Sequence, residues 1–151
     1  IVDTRARLVR RLQAGLAAIE GVVPHGVPEG CEHTGFLYTV RLEPARFRVG
    51  VDEFCRALLA EGIPNSPHLV TGGMPVYEYD VFKNRSAFPG TAFPFVSRDL
   101  DSDISYHPGD CPEAERAFAE TFNLPVSEFH DDEVVDDMVR AIAKVAAWHR
   151  A

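Results

Sequence analysis

The sequence contains few cysteines and no pattern that would use them together. Cys31, Cys55 and Cys111 are the only cysteines in 151 residues, and no Cys-x-x-Cys pair occurs. An odd number of widely separated thiols argues against both a disulfide framework and a zinc site. The sequence therefore predicts a protein of the reducing cytoplasm.

Basic residues and long apolar runs are also scarce. The formal net charge is -8, from 15 basic and 23 acidic residues, whereas nucleic-acid binding usually requires a basic stripe. No apolar run reaches the roughly 18 residues that favour a membrane span, and no signal-peptide pattern occurs. We expect neither nucleic acid nor a membrane as a partner. One cluster of arginines is interpreted as the solvated face of a helix: Arg5, Arg7, Arg10 and Arg11.

The chain lacks the motifs of the common catalytic and phosphate-binding sites. It has no nucleophile elbow, phosphate-binding glycine loop or dinucleotide fingerprint. Three alternating acids resemble the start of a calcium loop, but Ile104 stands where that loop needs glycine. We interpret this segment, with Asp99, Asp101 and Asp103, as a solvated loop. The six histidines lack metal-ligand spacing, so no metal site is predicted, although a cluster formed in space stays open.

Apolar residues that recur at spacings of three and four predict four helices. These helices span residues 3–20, 51–61, 111–123 and 131–148. Gly62 followed by Ile63 predicts a Schellman stop after the second helix. Pro112 suits the first position of the third helix, Pro125 blocks its continuation, and Asp131 begins the acidic start of the last.

Strand patterns are weaker and surround a long irregular segment. Residues 35–42 alternate with a period of two, and short strands are predicted at 68–70 and 92–96. Residues 64–110 are rich in proline, glycine and aromatics, which is unusual for a connecting loop. The order of elements predicts an α+β fold, with a small, mainly antiparallel sheet and helices packed on one face.

Several segments together resemble the DegT/DnrJ/EryC1/StrS family of pyridoxal-phosphate-dependent sugar and cyclitol aminotransferases. The opening helix RARLVRRLQAGLAAIEGV, the strand GFLYTVRL and the helix VDEFCRALLAEGIP resemble successive parts of the family's carboxy-terminal region. CPEAERAFAETFNLP resembles the Cys-Pro helix and Leu-Pro break near its end. MPVYEYDVF resembles the Pro-Leu-Tyr-x-x-Pro-Leu-Phe stretch of the cyclitol branch, with Asp80 where proline is common there.

The resemblance implies that residues 1–151 are the carboxy-terminal small domain of such an enzyme, without the large cofactor-binding domain. The start at Ile1, without an initiator methionine, fits this expectation. The full enzyme would be a cytoplasmic homodimer that uses pyridoxal phosphate to transfer an amino group from glutamate or glutamine to a keto-sugar or keto-cyclitol. Neither Lys83 nor Lys144 has the context of the family's catalytic lysine, so we expect no catalytic residue and no cofactor in this chain, which alone would be inactive.

Substrate contacts are expected in the segment 65–82. His68 stands where relatives place a polar residue after Gly-Ile, and Tyr77 belongs to the Pro-x-Tyr motif. The alternatives are a hydrogen-bonded loop histidine and a packed tyrosine. Cys111 is interpreted as a structural helix cap rather than a reactive thiol.

Two other functions stay open at this point. The domain could be a non-catalytic module that binds a ligand or a protein, or a metal-dependent enzyme built on its histidines and aspartates. The sequence leaves the amino acceptor, the amino donor and the oligomeric state of the chain undecided.

Overall fold

The computed structural model describes residues 1–68, 73–97 and 105–151. Five α-helices and four β-strands lie in these ranges, and none of those helices has both the length and the apolar character that a membrane crossing needs. In chain order the elements are α1 (Val2–Leu16), β1 (Val22–Pro24), β2 (Tyr38–Leu42), α2 (Val51–Ala60), β3 (Ser66–Pro67), α3 (Asp80–Lys83), α4 (Pro112–Glu120), β4 (Thr121–Leu124) and α5 (Asp132–Trp148).

The four strands form one antiparallel sheet in the order β1-β2-β4-β3. Val40 of β2 lies opposite Phe122 of β4, and Thr39 lies opposite Asn123. Because successive side chains of a strand point to opposite faces, this register gives the sheet one apolar and one polar face. The predicted α+β fold with a small antiparallel sheet is confirmed.

The core lies between the apolar sheet face and the helices α1, α2 and α5. Tyr38, Phe54 and Phe122 are completely buried there. The predicted core position of Cys55 is confirmed, because its side chain is 4% exposed. Burial and the nearby Asp52 carboxylate raise the pKa of this thiol to about 12, so it stays protonated at neutral pH.

Two predicted helix boundaries are confirmed by their hydrogen bonds. The amide of Gly62 donates to the carbonyl of Leu59, and that of Ile63 donates to Leu58, each at 3.0 Å. These two bonds form a Schellman motif, and the φ of +85° at Gly62 suits a residue without Cβ. At the start of α5, the Asp131 carboxylate accepts a hydrogen bond from the Val134 amide.

The prediction that the third helix continues to residue 123 is wrong for residues 121–123. The chain leaves helical geometry at Thr121 and becomes β4, a strand with neighbours on both sides. Phe122, which the helical spacing places on one face with Phe118, instead points into the core beside Val40. Pairing with β2 and β3 satisfies the backbone groups that a helix would otherwise have used.

The first helix and first strand are shorter than predicted. The helix ends at Leu16 because residues 17–21 turn to bring Val22 into the sheet, and the Val22 amide donates to the Ile19 carbonyl. The strand begins at Tyr38 rather than at residue 35. Gly35 has a φ of +72°, outside extended geometry, and Phe36 is 76% exposed.

The two short strands predicted in the irregular segment are also corrected. Residues 92–96 form a turn, in which the Val96 amide donates to the Ala92 carbonyl at 3.0 Å. The strand expected at 68–70 lies earlier, at Ser66–Pro67, and the φ of +64° at His68 ends its extended path. Residues 69 and 70 lie outside the described residues.

The arginines of α1 lie at the surface as predicted, and they also join α1 to its neighbours. Arg5 pairs with Glu128 at 2.6 Å, and Arg11 donates two hydrogen bonds of 2.7 Å to Asp136 of α5. The hydrogen bond from Arg11 lowers the pKa of the Asp136 carboxyl. Exposed pairs such as Arg11 with Asp136 contribute little individually, so the apolar contact between α1 and α5 dominates their packing.

Candidate functional site

His68 directly follows β3 and is fixed to β4 through its backbone. Its amide donates to the Thr121 carbonyl at 2.8 Å, and its carbonyl accepts from the Asn123 side-chain amide at 2.7 Å. Its φ of +64° is uncommon for a residue with a side chain, and such a conformation persists where the surroundings hold it. The central strand β4 therefore sets the position of His68.

The His68 ring lies between α4 and α2. Nδ1 is 2.7 Å from the Phe118 carbonyl of α4, and Nε2 is 3.3 Å from Oδ1 of Asp52 in the first turn of α2. Gly73 packs so closely that a Cβ there would lie 2.8 Å from Cδ2 of the ring. These contacts give the imidazole a defined orientation.

Tyr77 contacts the same helix one turn earlier. It lies in the 3-10 turn Val76–Glu78, and its hydroxyl donates a hydrogen bond to Oε1 of Glu115. The Gly109 amide donates to the same oxygen at 2.5 Å. Partial desolvation and the hydrogen bond with Glu115 raise the pKa of Tyr77 to about 12. The bonds from Tyr77 and Gly109 lower the pKa of Glu115, so this carboxylate is ionised at neutral pH.

A surface cavity of about 330 Å³ lies between these two contacts. Its lining combines polar groups with an apolar wall, formed by His68, Gly73, Met74, Pro75, Glu78, Glu115, Phe118 and Ala119. His68 lines the cavity directly, whereas Tyr77 acts on it through Glu115. The structure thus brings both predicted residues to one side of α4.

No sequence motif singles out Glu115 or Glu78 as a functional residue. Glu115 lies in the first turn of a helix, where acidic residues are common for their interaction with the helix dipole. Its contact with Tyr77, 38 positions earlier, depends on how the long segment folds over α4. The spacing of residues in the sequence therefore does not predict the contact between Tyr77 and Glu115.

Several solved aminotransferases share this fold over nearly the whole chain. A DegT DnrJ EryC1 StrS aminotransferase from Brucella abortus matches with a TM-score of 0.66 and 20% identity, over 98% of this chain and 31% of that one. Spr1654 from Streptococcus pneumoniae, described as a sugar aminotransferase and solved in its PLP form, matches with a TM-score of 0.69 and 19% identity. The match covers 98% of this chain and 32% of that one. DesI, solved in the presence of its TDP-sugar product, matches with a TM-score of 0.70 and 16% identity. The match covers 97% of this chain and 31% of that one.

This chain has the fold of one part of these solved structures. The resemblance predicted from the sequence is confirmed at the level of the fold. The chain spans just under a third of the length of these three structures. No protein-family model and no curated protein matches the sequence.

The two lysines of this chain do not fit the covalent anchoring of pyridoxal phosphate. A lysine that forms a Schiff base must present a neutral amine. Lys83 pairs with Glu78 at 3.6 Å and Lys144 with Glu61 at 2.6 Å, and both amines are exposed. No other lysine occurs in the sequence, so this chain offers no lysine suited to forming that Schiff base.

The remaining candidates contribute no site in the described part of the chain. Cys111 is exposed and stands at the N-cap position of α4, as predicted: its carbonyl accepts a hydrogen bond from the Glu115 amide at 3.0 Å, and its side chain makes no capping bond. Among the described residues, no three or more histidine, cysteine or acidic side chains lie close enough together to hold a metal ion. The possible calcium loop at 99–103 lies outside those residues.

Replacement of Tyr77 by phenylalanine is expected to raise the pKa of Glu115 towards its ordinary value near 4.5. The lowered pKa of Glu115 stabilises the folded state at pH values above the pKa of this residue in the unfolded chain. This contribution is lost as the pH falls through the pKa of Glu115 in the folded chain. The variant should therefore lose less stability on acidification than the wild type. Carboxyl NMR titration of Glu115 measures the shift, and the exposed Glu113 is the internal control. An unchanged titration of Glu115 would contradict the hydrogen bond.

Proposed function

We propose that this chain is the carboxy-terminal small domain of a pyridoxal-phosphate-dependent aminotransferase. The full enzyme would transfer an amino group from glutamate or glutamine to a keto-sugar or keto-cyclitol. The fold match over about 97% of the chain carries this proposal. We further propose that the full polypeptide is a cytoplasmic homodimer and that the isolated chain is inactive.

The cavity beside α4 supplies the chemistry that a hydroxylated acceptor needs. The carboxylates of Glu78 and Glu115 accept hydrogen bonds from hydroxyl groups. The oriented His68 ring forms part of the cavity wall. Phe118 and Met74 provide apolar surface for the carbon face of a ring. When bound elsewhere in the full enzyme, pyridoxal phosphate supplies the electron sink for amino transfer. This chain's role is to bind and orient the acceptor.

The full polypeptide that contains this chain tests the proposal. We expect the purified protein to absorb near the visible edge and to transfer an amino group from glutamate or glutamine to a keto-sugar or keto-cyclitol. A colourless polypeptide without transferase activity would contradict it. If that polypeptide also bound a ligand or protein without catalysis, a non-catalytic binding module would be the better description.

Substitution of His68 by alanine in the full polypeptide is expected to lower kcat/KM for the acceptor about tenfold, because it removes an oriented ring that forms part of the wall of the acceptor cavity. The effect should appear in the acceptor half-reaction, because His68 lies in the acceptor cavity. His107→Ala is a matched control, since His107 is exposed and outside the cavity lining. Equal kinetics of wild type and His68→Ala, with intact folding, would remove His68 from the site.

A further inference from the structure

The ionisable groups around the cavity beside α4 are mainly acidic. Glu78 and Glu115 line it, and Asp52 lies 3.3 Å from the His68 ring. The described residues of the lining include no lysine or arginine. Lys83 is the cation next to Glu78, and its ammonium group is 3.6 Å from that carboxylate, whose charge it balances. The residues 69–72 add no ionisable side chain to this part of the sequence.

The start of α4 beside the cavity is poorly suited to binding an anion. Phosphate groups commonly bind at the free amides of a helix N-terminus. Here α4 begins with Pro112, which has no amide proton, and places Glu113 and Glu115 in its first turn. The Gly109 amide, which could otherwise donate to an anion, already donates to the Glu115 carboxylate. The Gly109 amide is therefore engaged by a carboxylate of the chain itself and is not available to an external phosphate.

We infer that this cavity takes an uncharged polyhydroxylated ring, such as a free keto-cyclitol or an unphosphorylated keto-sugar, rather than a phosphate-bearing sugar. Ionised carboxylates accept hydrogen bonds from hydroxyl groups and repel phosphate oxygens. Tyr77 keeps Glu115 directed at the cavity, and Phe118 supplies an apolar wall. The inference rests on the proposed function and narrows its acceptor.

The test uses the full polypeptide with a free keto-inositol and a nucleoside-diphosphate keto-hexose as acceptors. We expect the wild type to prefer the free keto-inositol by about a hundredfold or more in kcat/KM. The nucleoside-diphosphate compound is disfavoured because its phosphates would lose water and lie beside carboxylates. Glu115→Gln, which removes one negative charge at nearly constant shape, should reduce this preference about tenfold. Glu113→Gln is the matched control on the same helix. Glu113 is exposed and pairs with Arg116, so the preference should stay within about twofold.

Binding of unreactive analogues separates this inference from the proposed function. Ligand-observed NMR with myo-inositol and myo-inositol monophosphate reports the preference of the same protein even without amino transfer. The inference is overturned if the phosphate-bearing compound binds or reacts as well as the neutral one, or if Glu115→Gln leaves the preference unchanged. Absence of transfer to every acceptor, with tighter binding of myo-inositol than of its monophosphate, would refute the proposed reaction and support the inferred ligand class.

Discussion

Replacement of Phe122 by alanine is expected to lower the free energy of unfolding by about 3–5 kcal/mol, the usual cost of removing a buried phenylalanine. The Phe122 side chain is fully buried in the central strand β4, and its ring centroid lies 5.8 Å from that of Phe54. Its loss would leave a cavity between the sheet and α2. Urea denaturation followed by circular dichroism measures the change.

Phe118→Ala is the matched control for this prediction. Phe118 lies on α4, where it is only partly buried, so we expect its replacement to cost about 1 kcal/mol. A helix that continued to residue 123 would put both phenylalanines on one face and give them similar costs. Equal destabilisation by the two substitutions would therefore contradict the strand β4.

Replacement of Asn123 by alanine is expected to lower the free energy of unfolding by about 2–3 kcal/mol, because it leaves buried partners without hydrogen bonds. The Asn123 side chain is 97% buried, since only 3% of the residue is exposed. Its oxygen accepts from the Thr39 hydroxyl at 2.8 Å, and its amide donates to the His68 carbonyl at 2.7 Å. The substitution should also weaken the positioning of His68 and lower acceptor turnover in the full polypeptide.

Thr39→Val separates the two roles of Asn123. It removes the hydroxyl that donates to Asn123 but leaves the bond from Asn123 to the His68 carbonyl, so it should cost stability with little effect on acceptor turnover. Denaturation and acceptor kinetics on both variants provide the comparison. If Asn123→Ala loses stability while the NMR signals of His68 and acceptor turnover stay unchanged, Asn123 does not position the site.

The sequence was sufficient to predict those features whose hydrogen bonds and packing involve residues close together in the chain. The Schellman motif at Gly62 and Ile63 was predictable because both of its hydrogen bonds return to the preceding turn. The start of α5 was predictable to within one residue because Asp131 caps the helix locally. The core position of Cys55 followed from its place on the apolar face of α2.

Residue patterns and the family resemblance were enough to predict the fold class, the main helices and the two candidate residues His68 and Tyr77. The central strand Thr121–Leu124 was not predictable, because it depends on pairing with segments more than 50 positions earlier in the chain. The contact between Glu115 and Tyr77, and the cavity lined by carboxylates beside His68, also became visible only in the folded chain. These contacts join residues distant in the chain, and hydrogen bonding between such residues leaves no periodic trace in either segment alone.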